Sequence, residues 1–242
     1  MEELSDIDND DYKHPYDPID STGNVYLSNI SSSYRVKCVL LGNTGVGKTT
    51  FCGLFANNEL DPNISSTIGV GFASRTIILD NKQEIIIQLW DTAGSIRFHN
   101  IIQSYLRDVY IAFLIFDMTN RQSFEDLKIW KDKLDETCKH DLIPKYVIIG
   151  TKTDVKGYEV GLNELDDLAL EWNCKSFTIS CMSMNSSDII YRIFYKTIED
   201  FHTEMIEADK NRRNLPKLLK KHQGFSYINL SDNGIKKSCC KN

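Results

Sequence analysis

The sequence predicts an α/β fold built on a mostly parallel sheet. Short apolar runs of strand length alternate with segments whose apolar residues recur at helical spacing. Only one pair of runs is close enough to form a hairpin, and every later strand is followed by a helix. Each polar motif begins where a strand ends, which is where ligands bind in sheets of this kind.

The first strand is "YRVKCVLLG" (34–42), a β-branched apolar run closed by Gly42. A helix pattern follows from Lys48 to about Asn57. "FASRTIILDNKQEIIIQLWD" (72–91) reads as two strands around an Asp80-Asn81 turn. "VYIAFLIFD" (109–117) and "KYVIIG" (145–150) are runs suited to buried strands. Between them Phe124, Leu127, Trp130 and Leu134 mark one helix with Ser123 as its cap. "NELDDLALEW" (163–172) is another helix and "KSFTIS" (175–180) the last strand. From about Ser187 to Met205 an amphipathic helix closes the domain. Six strands and about five helices fit between residues 34 and 206.

The 242 residues suit one domain with extensions, and 41% apolar content supplies a core. A net charge of −6 argues against a nucleic-acid binder. Eight acidic residues and one base occupy residues 1–34, so this stretch is expected to be a disordered acidic arm. It lacks the basic start and apolar run of a secretory signal. The longest apolar run, Val109 to Phe116, stops at Asp117, too soon to cross a membrane. Cys38, Cys52, Cys138, Cys174 and Cys181 are scattered without metal-ligand spacing, which suits a reducing cytosol.

"GNTGVGKT" (42–49) matches G-x-x-x-x-G-K-[ST] between a strand and a helix, the context that a phosphate-binding loop requires. Backbone N–H groups of Asn43, Thr44, Gly45, Val46, Gly47, Lys48, Thr49 and Thr50 are the expected cradle, helped by the helix N-terminus. Lys48 would reach the β- and γ-phosphates, and the Thr49 hydroxyl would bind Mg²⁺. The architecture is then a P-loop NTPase three-layer fold. The loop alone does not choose among kinases, ATPases and GTPases. Asp91, ending a strand in "WDTAG", adds a carboxylate for Mg²⁺, and Gly94 offers an unobstructed N–H to a terminal phosphate.

"GTKTD" (150–154) follows the fifth strand. The Asp154 carboxylate can accept from guanine N1 and N2, a donor pair that adenine lacks, while the Lys152 stem lies over the base. "SCM" (Ser180, Cys181, Met182) ends the last strand and would bring the Cys181 N–H to a guanine oxygen. The expected ligands are therefore GTP and GDP.

Over roughly Arg35 to Met205 the chain resembles the Ras superfamily of small GTPases, and within it the Rab family. "TIGVGF" (67–72), "RFHNIIQSYLRD" (97–108) and "LIFDMT" (114–119) carry the Rab likeness. The resemblance implies that Thr67 grips Mg²⁺ and senses the γ-phosphate. It implies an effector surface of Ile68, Gly69, Val70, Phe72, Trp90 and Tyr105. It also implies a GTPase cycle governed by exchange factors (GEFs) and activators (GAPs).

Several positions depart from that pattern. Thr151 stands for the usual Asn of the guanine motif, Met182 for Lys, Leu60 and Ile64 for aromatics, and Gly71 for Asp. Ser95 stands where the family has the Gln that orients the attacking water, and Ile96 where it has Glu. Phosphoryl transfer depends on positioning, so a short hydroxyl predicts slow hydrolysis with binding intact. A catalytic set of Lys48, Thr67, Gly94 and Ser95 is expected, with activators able to supply the missing group. The alternative is a GTP-bound adaptor with negligible turnover.

Beyond about Glu207 the chain turns basic and ends in "SCCKN". Cys239 and Cys240 resemble the doubly geranylgeranylated end of Rabs, implying prenyl-transfer enzymes and GDI-type chaperones as partners. Two lipid chains with a basic stretch give stable anchoring. The expected organisation is an acidic arm (1–34), a GTPase domain (35–206) and a basic tail (207–242). The expected location is the cytosol and the cytosolic face of an intracellular membrane.

Overall fold

The structure, a computed structural model, describes residues 34–60, 67, 69–95, 99–138 and 144–213. Residues 1–33 of the expected acidic arm, together with Ile64, Ile68, Ile96, Cys239 and Cys240, lie outside the described residues, whereas Tyr34 belongs to the first strand.

The elements run β1 (Tyr34–Leu41), α1 (Lys48–Asn57), β2 (Val70–Ile78), β3 (Glu84–Thr92), α2 (His99–Tyr105), β4 (Ile111–Asp117), α3 (Arg121–Glu125), α4 (Leu127–Thr137), β5 (Lys145–Thr151), α5 (Leu162–Glu171), β6 (Lys175–Thr178) and α6 (Ser186–Arg213). The six strands form one sheet in the order β2-β3-β1-β4-β5-β6. Only β2 against β3 is antiparallel, as a two-strand turn requires, and the other pairs are parallel.

The sheet is apolar on both faces because helices cover both. Cys38, Leu40, Ile87, Leu89, Phe113 and Ile115 face α1 and α6, where Phe51, Phe55 and Phe194 fill the gap. Val39, Leu41, Leu114, Phe116 and Ile148 face the other way, onto Ile102 of α2, Leu127 and Trp130 of α4, and Leu165 of α5. β4 is buried at all seven positions, which explains its unbroken apolar run. This is the expected three-layer architecture.

Three local expectations need correction. The helix between β4 and β5 is two helices meeting at Asp126. Its cap is Asn120, whose side chain accepts from the Ser123 N–H at 3.1 Å. Ser123 lies one turn inside, buried, with its hydroxyl accepting from the Asp117 N–H at 3.0 Å. In addition, α2 forms about two turns that periodicity did not reveal, and α6 continues to Arg213, past the expected end near 206.

Candidate active site

The strand order reverses at β1, whose neighbours β3 and β4 are reached in opposite directions along the sheet. The loop after β1 opens at that point. Gly42 has φ of +145°, and a Cβ there would lie 2.0 Å from the Ile115 carbonyl oxygen. Only glycine lets the chain leave the sheet so close to β4. The loop then presents Thr44 and Gly45 at the surface and buries Val46.

Lys48 opens α1 and is buried. Its ammonium donates to the carbonyls of Gly42 and Asn43, both at 2.8 Å, so the cation is held inside the curl of the loop. Burial lowers its pKa to about 8, against the opposing pull of Asp91. A desolvated cation in a ring of backbone groups is a ready anion site.

Three oxygen-bearing side chains meet beside it. The Thr49 hydroxyl donates to Asp91 Oδ2 at 2.7 Å and lies 2.6 Å from the Thr67 hydroxyl. Thr67 reaches the same carboxylate oxygen at 3.4 Å. Burial drives the Asp91 carboxyl above its usual range, with Thr49, Lys48 and Thr67 pulling the other way. Its second oxygen, Oδ1, is buried without a hydrogen-bond partner. A buried carboxylate with an orphaned oxygen and two hydroxyls beside it is a hard-oxygen set that fits Mg²⁺.

The chain runs on from Asp91 into the loop of Gly94. The Ala93 N–H donates to the Gly69 carbonyl at 2.9 Å, tying this loop to the segment after Thr67. A Cβ on Gly94 would lie 2.3 Å from both the Asn43 carbonyl carbon and the Thr44 nitrogen, so the backbone there presses on the phosphate loop. Ser95 follows directly, half-buried.

At the far end of the cleft, Thr151, Lys152, Asp154, Ser180, Cys181 and Met182 gather at the ends of β5 and β6. The Thr151 hydroxyl is buried and bonds to Val46 O and Phe116 O. Lys152 adopts φ of +60° and pairs with Asp117 Oδ2 at 2.7 Å. Asp154 is exposed. Burial, with the Asp154 carboxylate acting in the same direction, raises the Cys181 thiol to about 11. The Met182 N–H donates to Ser180 Oγ at 3.1 Å, while its side chain is 68% exposed and so takes no part in the base-end core.

Residues 37–203 match the Ras family. The chain belongs to that family and is a Rab-like small GTPase. It is 28% identical to the "Probable Rab-related GTPase" of Acanthamoeba polyphaga mimivirus, over 90% of this chain and 98% of that one. To human "Ras-related protein Rab-8B" it is 33% identical over 71% of this chain and 81% of the relative. To "GTP-binding protein ypt3" of Schizosaccharomyces pombe it is 36% identical over 63% and 71%.

In this Rab-like GTPase Phe72, Trp90 and Tyr105, the aromatics expected on the effector surface, form a row with Trp90 between the other two. Phe72 and Trp90 have ring centroids 5.0 Å apart, and Trp90 and Tyr105 5.1 Å. Phe72 is 55% exposed, which sets it apart from a core aromatic. Sequence patterning did not mark one further residue at the site, Asp117, nor the side-chain partners of Asn43. Asp117, at the end of β4, accepts from Lys152 and from both the N–H and the hydroxyl of Thr119. Asn43 is tied by its side chain to Asp126 and Trp130. The rule that polar residues at strand ends serve the ligand could have marked Asp117. No local signal marks the side-chain ties of Asn43, whose backbone the phosphate-loop motif had already placed at the site.

Proposed function

We propose that the protein is a Rab-like molecular switch that binds GTP and GDP with Mg²⁺ and recruits effectors in membrane traffic, with slow intrinsic hydrolysis. The observation that carries this reading is the meeting of the Thr49 and Thr67 hydroxyls at Asp91 Oδ2, with the buried Oδ1 of the same carboxylate left without a partner. Thr49, Thr67 and Asp91 would hold the metal. Bound there, Mg²⁺ offsets the charge of the phosphate oxygens. Lys48 adds a fixed cation, and the loop N–H groups orient the phosphates.

Thr67 stands three residues before β2, and Gly94 two residues after β3. A terminal phosphate that engages both would order the segments leading to Phe72 and Trp90, and its loss would release them. Effectors would read Gly69, Val70, Phe72, Trp90 and Tyr105, with Ile68. Exchange factors and activators would set the timing. Asp154 and the Cys181 N–H would select guanine, with Lys152 over the base. The organisation proposed is an acidic arm, a GTPase domain and a basic tail. Prenylation at Cys239 and Cys240, assisted by GDI-type chaperones, would anchor the tail to an intracellular membrane facing the cytosol.

Ser95 favours slow turnover because its hydroxyl is too short to hold water as a Gln amide does. Even a tenfold loss is only about 1.4 kcal/mol of barrier, so an activator could restore it. The same residue supports a second reading, a GTP-bound adaptor with negligible hydrolysis. Single-turnover hydrolysis of the GTP-loaded full chain, beside Ser95→Gln, tests the reading. A slow wild type and a clearly faster variant are expected. Equal, ordinary rates would overturn the role given to Ser95, and a near-normal activator-stimulated rate would overturn the adaptor.

A further inference from the structure

Asn43, the second residue of the phosphate loop, is held by both ends of its side-chain amide. Its Nδ2 donates to Asp126 Oδ2 at 2.6 Å, and its Oδ1 accepts from Trp130 Nε1 at 2.9 Å. Both partners lie more than 80 residues away, at separations of 83 and 87. Asp126 is the residue at which α3 meets α4, and its other oxygen accepts from Gln122 Nε2 at 2.8 Å. Trp130 lies one turn further on, with its ring buried under the sheet. The anchor is therefore part of the core.

The main chain of the same residue serves the site. The Asn43 carbonyl accepts from the Lys48 ammonium at 2.8 Å. Its carbonyl carbon is one of the atoms against which Gly94 presses. One residue thus touches the phosphate cation, the γ-phosphate loop and a helix junction outside the cleft. The short bond to a carboxylate is charge-assisted and among the stronger of its kind.

We propose that Asn43, Asp126 and Trp130 form a clamp that sets how tightly the phosphate loop holds its nucleotide, making the α3–α4 junction a control point for release. The clamp rests on the nucleotide-binding reading above. Donors already ordered before binding cost nothing to order during it, and most changes in affinity appear in the off-rate. Freeing the Asn43 peptide loosens the two groups that lean on it, Lys48 and Gly94.

The test is release of a fluorescent GDP analogue from the full-length chain, chased with unlabelled GDP in the presence of Mg²⁺. Asn43→Ala should speed release about tenfold, the value of a lost hydrogen bond to a charged group. Asn43→Asp should be faster still, because it sets one carboxylate against another. Asn43→Asp combined with Asp126→Asn exchanges donor and acceptor instead of losing them, so release should return to within about threefold of wild type. Trp130→Phe keeps the ring and removes only the N–H, and should speed release several-fold. It also carries the test if Asn43→Asp fails to fold. Wild-type release rates in Asn43→Ala and Trp130→Phe, or a double variant as fast as Asn43→Asp, would overturn the clamp, even with a lowered melting temperature. A wild type that binds no labelled GDP would overturn the nucleotide reading beneath it, a different result.

Discussion

The Thr151 hydroxyl donates to the Val46 carbonyl at 2.7 Å across a separation of 105 residues. The Phe116 carbonyl shares the same proton at 2.8 Å. One buried group therefore joins the end of β5, the end of β4 and the phosphate loop. The β5 end of the cleft and the loop after β1 are fixed to each other through it.

Thr151→Val keeps the shape and removes that donor from two carbonyls in the core. The expected cost is about 1–3 kcal/mol of folding stability, read by urea unfolding of the nucleotide-free chain. GDP binding should weaken in the same variant, since the loop loses its tie to β5. Unchanged stability and unchanged affinity would mean that the bond positions nothing.

Gly94→Ala places a methyl where the Asn43–Thr44 peptide already lies. The loop after β3 must then back away from the phosphates. GTP hydrolysis should fall by about tenfold or more, because positioning is lost. GDP affinity should change less. Single-turnover assays and GDP titration on one preparation separate the two effects.

Asp91 predicts how the protein responds to chelation. In wild type, EDTA should speed GDP release strongly. Asp91→Ala should release GDP about tenfold faster before any chelator is added, and EDTA should then add little. A variant as chelator-sensitive as wild type would remove Asp91 from the metal set.

Asp117 predicts an acid limb of the stability curve. Burial would raise its carboxyl, but the bonds from Lys152 and Thr119 outweigh that and hold it below the ordinary 3.8. In the unfolded chain it therefore takes up a proton at higher pH than in the folded chain. Its stabilisation is complete above 3.8 and drains as pH falls through the lower folded value. The stability difference between wild type and Asp117→Asn should shrink as the pH falls through 3.8 and below, read by denaturant unfolding at each pH.

Much of the fold was legible because its causes are local. The unbroken apolar runs of β4 and β5 announce strands covered on both faces, and the glycine spacing of residues 42–47 announces a phosphate loop. Where two local signals compete, the sequence misleads. Asn120 and Ser123 are both good helix caps, and the choice falls to Asn120 because Ser123 is taken by the Asp117 N–H. Helical spacing placed Trp130 correctly in the core, yet periodicity weighs its carbon bulk and says nothing of the N–H that holds Asn43. The Asp117–Lys152 pair was hidden for the same reason, since its partners meet only once β4 and β5 lie side by side.

β3 places Trp90 and Asp91 on opposite faces, the first against the surface aromatics and the second against the Thr49 hydroxyl. Adding or deleting one residue within the strand would exchange the two faces, so its length is not free to drift. The hairpin end at Asp80–Asn81 carries no such constraint. Tags, probes or epitopes inserted at that turn should be carried without loss of switching, whereas a single-residue insertion near Leu89 should end it.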